Sequence, residues 1–326
     1  MQTKILQILK AAGNRCISGE EIASQIGVTR TAIWKRIQEL RNIGYDIESV
    51  SRNGYVLKGI PDLLLPVEIH DGLKTKLIGK EIIYFDDIAS TNNEAKRLAL
   101  QGAADGTVVV SEAQGGGKGR LSRSWFSPKA KGIWFSTILR PDFLPQDAPK
   151  CTLLAAVSIV RAVRKFGINV GIKWPNDILY NGKKLVGTLT EMNAEMERIN
   201  YVVVGTGINV NIAPDDFPDE IKDIATSLSI IKGEKLSRQD LFREILTAME
   251  DLYFDVQENG FSAMLDEWRE YSVTLGQEVN VIGVGEHESF SGKAVDIDDD
   301  GALLINVSGT VRKVLAGDVS IRPRKG

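Results

Sequence analysis

Lys173-Trp174-Pro175-Asn176-Asp177 sets a cation, an aromatic ring, a rigid turn residue, an amide and a carboxylate in five consecutive positions. Just past a turn at Gly182 comes Lys183-Lys184-Leu185-Val186-Gly187. Three lysines near one carboxylate point to a pocket for anions. A site handling a small acid and a nucleotide phosphate would use every member of this set. A plainer reading is also open, in which Trp174 and Pro175 form a buried turn that Asn176 caps.

A second chemistry-bearing stretch is Gln114-Gly115-Gly116-Gly117-Lys118-Gly119-Arg120-Leu121-Ser122-Arg123. It fails the Walker A pattern, because Lys118 is followed by Gly119 rather than Ser or Thr. It also fails the dinucleotide fingerprint, since Arg120 stands where the last glycine belongs. What remains is a flexible backbone carrying Lys118, Arg120 and Arg123. Glycines let N–H groups turn toward an anion, and arginines offer forked donors for carboxylate or phosphate. A glycine-rich surface hairpin is the structural alternative. Ser90-Thr91-Asn92 precedes a helix and reads as an N-cap that could also meet an acid or polar head group. The small residues of Gly205-Thr206-Gly207 allow close approach to the backbone. Ala225-Thr226-Ser227 reads as a lid element or another cap.

These residues need a scaffold, and the chain alternates β-rich runs with helices from about residue 63 to 270. Ile82–Phe85, Val108–Val110, Trp134–Leu139 and Tyr201–Val204 read as strands; Asn92–Ala99, Thr152–Phe166 and Gln239–Val256 read as helices. That pattern predicts a mixed sheet with helices packed on it. Ahead of it, residues 1–62 read as helix, helix, helix, hairpin. Ser18 and Glu21 form a capping-box pattern, and Thr29 caps a third helix with Ile33, Ile37 and Leu40 on one face. Asn53-Gly54 signals the hairpin. A winged helix-turn-helix results, with Thr29, Arg30, Thr31, Lys35 and Arg36 on its third helix and Arg52 at the wing tip as DNA contacts. Residues 271–326 carry short strands and an Asp298-Asp299-Asp300-Gly301 turn, predicting a small SH3-like β-barrel. The fold class is therefore mixed α+β in three domains.

Charge supports this division. The net charge of −3 argues against wholesale nucleic-acid coating. Yet residues 1–60 hold nine Lys/Arg against five acids, leaving the rest of the chain acidic. A basic segment on an acidic body fits a local polyanion contact. Two cysteines and two histidines make a disulfide framework, a histidine metal site and a Ser-His-Asp triad poor readings. No dedicated metal site is expected. The first residues do not read as a signal peptide, and no apolar run is long enough to span a bilayer. A cytoplasmic protein with no membrane contact is the expectation.

In order and spacing, these motifs resemble the biotin protein ligase family across nearly the whole chain. The N-terminal domain makes the bifunctional bacterial form, ligase and biotin operon repressor together, the closer match. The resemblance implies biotin contacts at Ser90, Thr91, Asn92, Gln114, Lys118, Gly119, Arg120 and Lys184. It implies ATP or adenylate contacts at Lys118, Arg120, Arg123, Trp125, Asn176, Lys184, Asn209, Ala225 and Thr226. Where the family loop reads Gly-Arg-Gly-Arg, this chain has Lys118 for the first arginine, which keeps the charge and loses the fork. The cofactors implied are ATP, biotin and Mg²⁺. The partners implied are a biotin carboxyl carrier acceptor, operator DNA and a second copy of the chain in a ligand-promoted homodimer. In the implied mechanism, Lys184, Arg120 and Lys118 offset the repulsion between biotin carboxylate and ATP phosphate. The acceptor lysine, with a free pKa of about 10.4, needs help losing a proton, and Asp177 is the candidate.

Other readings stay open on the residues alone. They are a ligase whose N-terminal domain reads no DNA, a lipoate ligase relative, and a ligand-sensing transcription factor without catalysis. Lys184 and Asp177 would have little purpose in the last.

Overall fold

The computed structural model describes residues 1–50, 53–283, 289–316 and 319–323. The chain divides into two compact units, Met1–Leu63 and Leu64–Gly326.

The first unit runs α1 (Gln2–Ala12), α2 (Gly19–Ile26), α3 (Arg30–Ile43), β1 (Asp46–Val50) and β2 (Gly54–Gly59). Its helices start where the sequence places caps. Ser18 Oγ accepts from the Glu21 amide at 3.0 Å, and Thr29 Oγ1 from Ala32 at 3.3 Å. Each satisfies one donor that a helix start leaves orphaned. Ile5, Leu9, Ile22, Ile33, Ile37 and Leu40 are buried, so the apolar stripes read from the sequence form the core. The two strands pair antiparallel as the wing. Gly54 has a φ of 123°, and an added Cβ would stand 2.0 Å from the Ile17 carbonyl oxygen, so only glycine fits there.

The second unit begins with α4 (Pro66–His70), β3 (Ile82–Phe85), α5 (Thr91–Leu100), β4 (Val108–Ser111), β5 (Gly132–Leu139) and α6 (Lys150–Lys165). It continues through β6 (Gly171–Lys173), β7 (Asp177–Tyr180), β8 (Lys183–Ala194), β9 (Ile199–Asn209), α7 (Leu228–Lys232), α8 (Arg238–Asn259) and α9 (Ser262–Tyr271). The strands form one mixed sheet in the order β3-β4-β5-β9-β8-β7-β6. Only β3 and β4 are parallel to each other among these neighbours. Alternation puts Val108, Val110, Phe135, Val202, Val204 and Ile208 on one face, packed with residues of α6, α8 and α9. Val109, Ile138, Tyr201 and Val203 line the other, where α5 contributes Ala95 and Ala99. That second face is covered by one helix along part of its length, and the rest carries the site.

The chain ends in β10 (Glu278–Gly283), β11 (Phe290–Ile297), β12 (Leu303–Val307), β13 (Thr310–Val314) and β14 (Val319–Pro323). They make a five-stranded antiparallel sheet, order β13-β12-β11-β10-β14. Val279, Val281, Ala294, Leu303 and Ile305 join the buried cluster of the larger sheet, so the expected boundary after residue 270 lies inside the second unit. Helix α9 and strands β6 to β8 were not anticipated. No helix among the described residues is long and apolar enough to cross a membrane.

Candidate functional site

The site starts at the N-terminus of α5. Ser90 caps the helix, its Oγ 3.5 Å from the Asn93 amide. Thr91 donates to Gln114 Oε1 through its amide at 2.9 Å and its hydroxyl at 3.1 Å. Gln114 in turn donates to Ser127 Oγ at 3.2 Å. From β5, Ser136 Oγ reaches Thr91 Oγ1 at 2.8 Å and Asn92 Oδ1 at 2.6 Å. The Asn92 amide donates to the Leu189 carbonyl at 3.2 Å and Glu191 Oε2 at 2.9 Å. Lys96 closes the network on Glu191 Oε1 at 2.7 Å. Burial alone would raise the Glu191 carboxyl, but the bonds from Lys96 and Asn92 outweigh it and hold it below the usual carboxylate range. Ser90, Thr91, Asn92 and Ser136 are all buried. Together they form a fixed polar floor.

Glycines make the floor possible. A Cβ on Gly205 would fall 1.7 Å from Asn92 Oδ1. One on Gly207 would fall 2.2 Å from Trp125 Nε1, and one on Gly187 2.9 Å from the same indole. The groups that approach these strands closely are thus the chain's own Asn92 and Trp125.

The glycine loop is a narrow hairpin over this face. Trp125 N donates to Gly117 O at 2.9 Å, Lys118 bridges Ser124, and Gly119 N donates to Arg123 O at 2.7 Å. Its tip is a single 3₁₀ turn, Arg120–Ser122, with Leu121 at a φ of 55°. Lys118 and Arg123 are exposed, while Arg120 turns inward. Its Nη1 lies 3.4 Å from Asn176 Oδ1, and its Nη2 donates to the carbonyl of Ala316, which follows the strand Thr310–Val314. Burial lowers the Arg120 guanidinium from its ordinary value, with Asp177 opposing the shift.

Lys184 and Asp177 meet across the β7–β8 hairpin, Nζ to Oδ1 at 2.7 Å. The contact is a close ion pair rather than an aligned hydrogen bond, and that buried oxygen has no hydrogen-bond partner among the described residues. Lys184 Nζ also sits 5.1 Å from the centre of the Trp125 ring. The Trp125 Nε1 donor is likewise buried without a partner among the described residues. The backbone of Lys184 bonds to Ile224 and Thr226, which brings Ala225 and Thr226 alongside. Asn209 Nδ2 donates to the Thr226 carbonyl at 3.0 Å. The Phe126 and Phe217 rings meet at a tilt with centres 6.3 Å apart, so the chain just after the glycine loop and the segment leading to Thr226 share an apolar contact.

The five-residue run divides its labour. Trp174 is buried; its amide donates to Thr274 and its Nε1 to Gly301 O at 3.0 Å. It ties the site to the C-terminal sheet and is unavailable to a ligand, which corrects the expectation that every member would face one. Asn176 donates to the Thr188 carbonyl at 2.7 Å and so fastens the open end of the β7–β8 hairpin, away from its turn. Lys183 is exposed, one step off the pair.

In the first unit, Arg30, Thr31 and Lys35 are exposed on α3, and Thr29 is its cap. Arg36 departs from the expected exposed stripe. It is half-buried, and its Nη1 donates to Glu39 at 2.5 Å. Arg52 lies outside the described residues. Sequence reasoning passed over Ser136, Glu191, Lys96 and Ser127 in the floor, and Trp34 on α3. A serine inside the apolar run Trp134–Leu139 was the available signal for the first.

Comparison with known proteins identifies three families along the chain. The Biotin/lipoate A/B protein ligase family matches residues 83–209, an HTH domain matches 2–56, and the Biotin protein ligase C terminal domain matches 274–322. The bifunctional ligase/repressor BirA of Bacillus subtilis (strain 168) is 44% identical over 322 residues, 98% of each chain. That of Escherichia coli (strain K12) is 29% identical over 94% of this chain and 92% of its own. Among solved structures, the biotin protein ligase from Aquifex aeolicus in complex with biotin and ATP matches at 29% identity and a TM-score of 0.65. It covers 75% of this chain and all of the other. The chain belongs to the biotin protein ligase family, in its bifunctional ligase/repressor form.

Proposed function

We propose that this chain joins biotin to a lysine of a carboxylase acceptor at the expense of ATP, and represses genes of biotin synthesis and uptake when biotin is plentiful. The observation that carries the ligase reading is the meeting of Arg120, Asp177, Lys184 and Trp125 at one end of a satisfied polar floor. The floor, Ser90 to Asn92 with Gln114 and the loop residues Lys118 and Gly119, would receive biotin's polar head. The charged end, with Arg123, Asn176, Asn209, Ala225 and Thr226 around it, would receive the nucleotide.

The chemistry follows from charge. A biotin carboxylate oxygen bonds to the α-phosphorus of ATP, and the bond to pyrophosphate breaks with its electron pair. Two anions must approach, and Lys184, Arg120 and Lys118 offset their repulsion. Lys184 leaves Asp177 when it turns to the phosphate. Asp177 is then free to take the proton of the acceptor lysine as its amine attacks the acyl carbon and AMP departs. Trp125 and the glycine loop exclude water from the mixed anhydride meanwhile. The triphosphate would bring Mg²⁺ as part of the substrate and so gain neutralisation of its oxygens. Among the described residues no group of three or more His, Cys, Asp or Glu gathers to hold a metal.

The repressor reading rests on the helix-turn-helix and its basic charge, with α3 in the major groove and Arg30, Thr31 and Lys35 toward the duplex. We assign DNA binding to residues 1–62, catalysis to 63–270 and support of the nucleotide loop to 271–326. A helix-turn-helix reads one half-site, so specificity calls for a dimer. In a ligand-promoted dimer, ordering of the glycine loop and of the segment around Thr226 would lower the entropy cost of pairing two surfaces. We place the protein in the cytoplasm, where Cys16 and Cys151 stay thiols.

The test is incubation with Mg²⁺, ATP, labelled biotin and a biotin carboxyl carrier domain, with lipoate and a lipoyl domain as the control pair. Label is expected on the biotin acceptor only; transfer of lipoate alone overturns the substrate assignment. Removing residues 1–62 is expected to abolish operator retardation and leave transfer largely intact.

A further inference from the structure

We propose that Trp34 is a specificity-determining residue that reads a thymine methyl group in the major groove. This rests on the DNA-binding reading above and adds a residue and a base to it. Helix α3 turns about 100° per residue. With Ile33, Ile37 and Leu40 buried, its opposite face presents Thr31, Trp34, Lys35 and Gln38. Trp34 is 56% exposed, whereas Trp134, Trp174 and Trp268 are fully buried. More than half of this indole faces water, and that part costs the apolar surface it leaves wet. Its neighbours name the partner. Lys35 is exposed beside it and Arg30 one turn before it, on a segment with an excess of positive charge. Cations of this kind hold phosphates or the O6 and N7 acceptors of guanine, and neither contact reads a methyl group. An apolar plate between them needs an apolar feature on the same polyanion. The thymine C5-methyl is that feature, and the major groove is where it lies.

The experiment uses the full chain with biotin and ATP, and an operator selected by the wild type from a random duplex library. Each thymine of the operator is replaced in turn by uracil, which removes only the methyl. One position per half-site is expected to weaken wild-type binding about fourfold, the worth of one buried methyl. Trp34→Ala should bind the thymine operator more weakly and lose all sensitivity to uracil at that position. Trp34→Phe should keep the sensitivity. Thermal melting of both variants checks the fold, and the wild-type scan stands whether or not they fold. Uracil tolerated at every position, or an unchanged uracil effect in Trp34→Ala, overturns the proposal while leaving DNA binding in place. Failure of the wild type to select any sequence overturns both.

Discussion

The two halves of the candidate site are built differently. In the floor, Thr91, Asn92, Gln114, Ser136 and Glu191 each bond to another member, and most are buried. At the charged end, Lys184 is about a third exposed, Trp125 Nε1 has no partner among the described residues, and Arg120 sits at the tip of a glycine hairpin. A closed polar network fixes shape, because breaking any one bond leaves a buried group unsatisfied. An open charged cluster can re-pair. The first suits recognition of a neutral head group whose shape never changes. The second suits a reaction in which charge moves from triphosphate to adenylate to amide.

Stability should separate the halves most sharply. Behind the floor, Glu112 and Arg238 form a fully buried pair at 2.8 Å, and Glu112 also accepts from the Leu64 amide. Glu112→Ala leaves the buried Arg238 charge without its carboxylate and should cost about 3–5 kcal/mol in urea unfolding. Lys184→Ala removes a partly exposed pair whose lysine is about a third open to solvent, and should cost less, about 1 kcal/mol. Equal losses would erase the distinction.

A smaller effect is expected from Arg120→Ala. With the loop's inward cation gone, adenylate should leave about ten- to a hundredfold faster, the range of one charge-assisted hydrogen bond. Retention of labelled adenylate through a desalting column measures it; unchanged retention removes Arg120 from the loop's grip.

Acid should loosen the floor. The Glu191 carboxyl is held below its ordinary 4.5 by Lys96 and Asn92 against the effect of burial. Its contribution is therefore present above the unfolded pKa and lost as pH falls through the folded value. Biotin affinity should drop in that window, and Glu191→Gln should flatten the drop. A profile unchanged by Glu191→Gln would detach this carboxylate from the floor. The smallest change belongs to Lys183→Ala, which should leave pyrophosphate exchange within about twofold, since it lies outside the ion pair.

Local chemistry was legible in the sequence. The caps at Ser18, Thr29 and Ser90, the apolar stripe of α3 and the glycine hairpin each follow from a few adjacent residues. What stayed hidden depends on distant partners. Ser136, Asn92 and Glu191 lie far apart in the chain and become one network only when β5, β8 and α5 stack. Trp174 could have faced a ligand or the core, and the Gly301 carbonyl decided it. Arg36 looked like a surface cation until Glu39, one turn on, took it. Strand β8 went unread because its charged start and polar end mask a short buried centre.

The central claim is that the floor binds and the charged end reacts. Biotin-dependent ATP–pyrophosphate exchange in Asn92→Ala and Lys184→Ala, each titrated with biotin, tests it directly. Asn92→Ala should raise KM for biotin and hold kcat near wild type. Lys184→Ala should lower kcat about 10²–10³-fold, the cost of losing a charge aimed at the transition state. Wild-type exchange by Lys184→Ala, or both variants failing in the same parameter, would contradict the account.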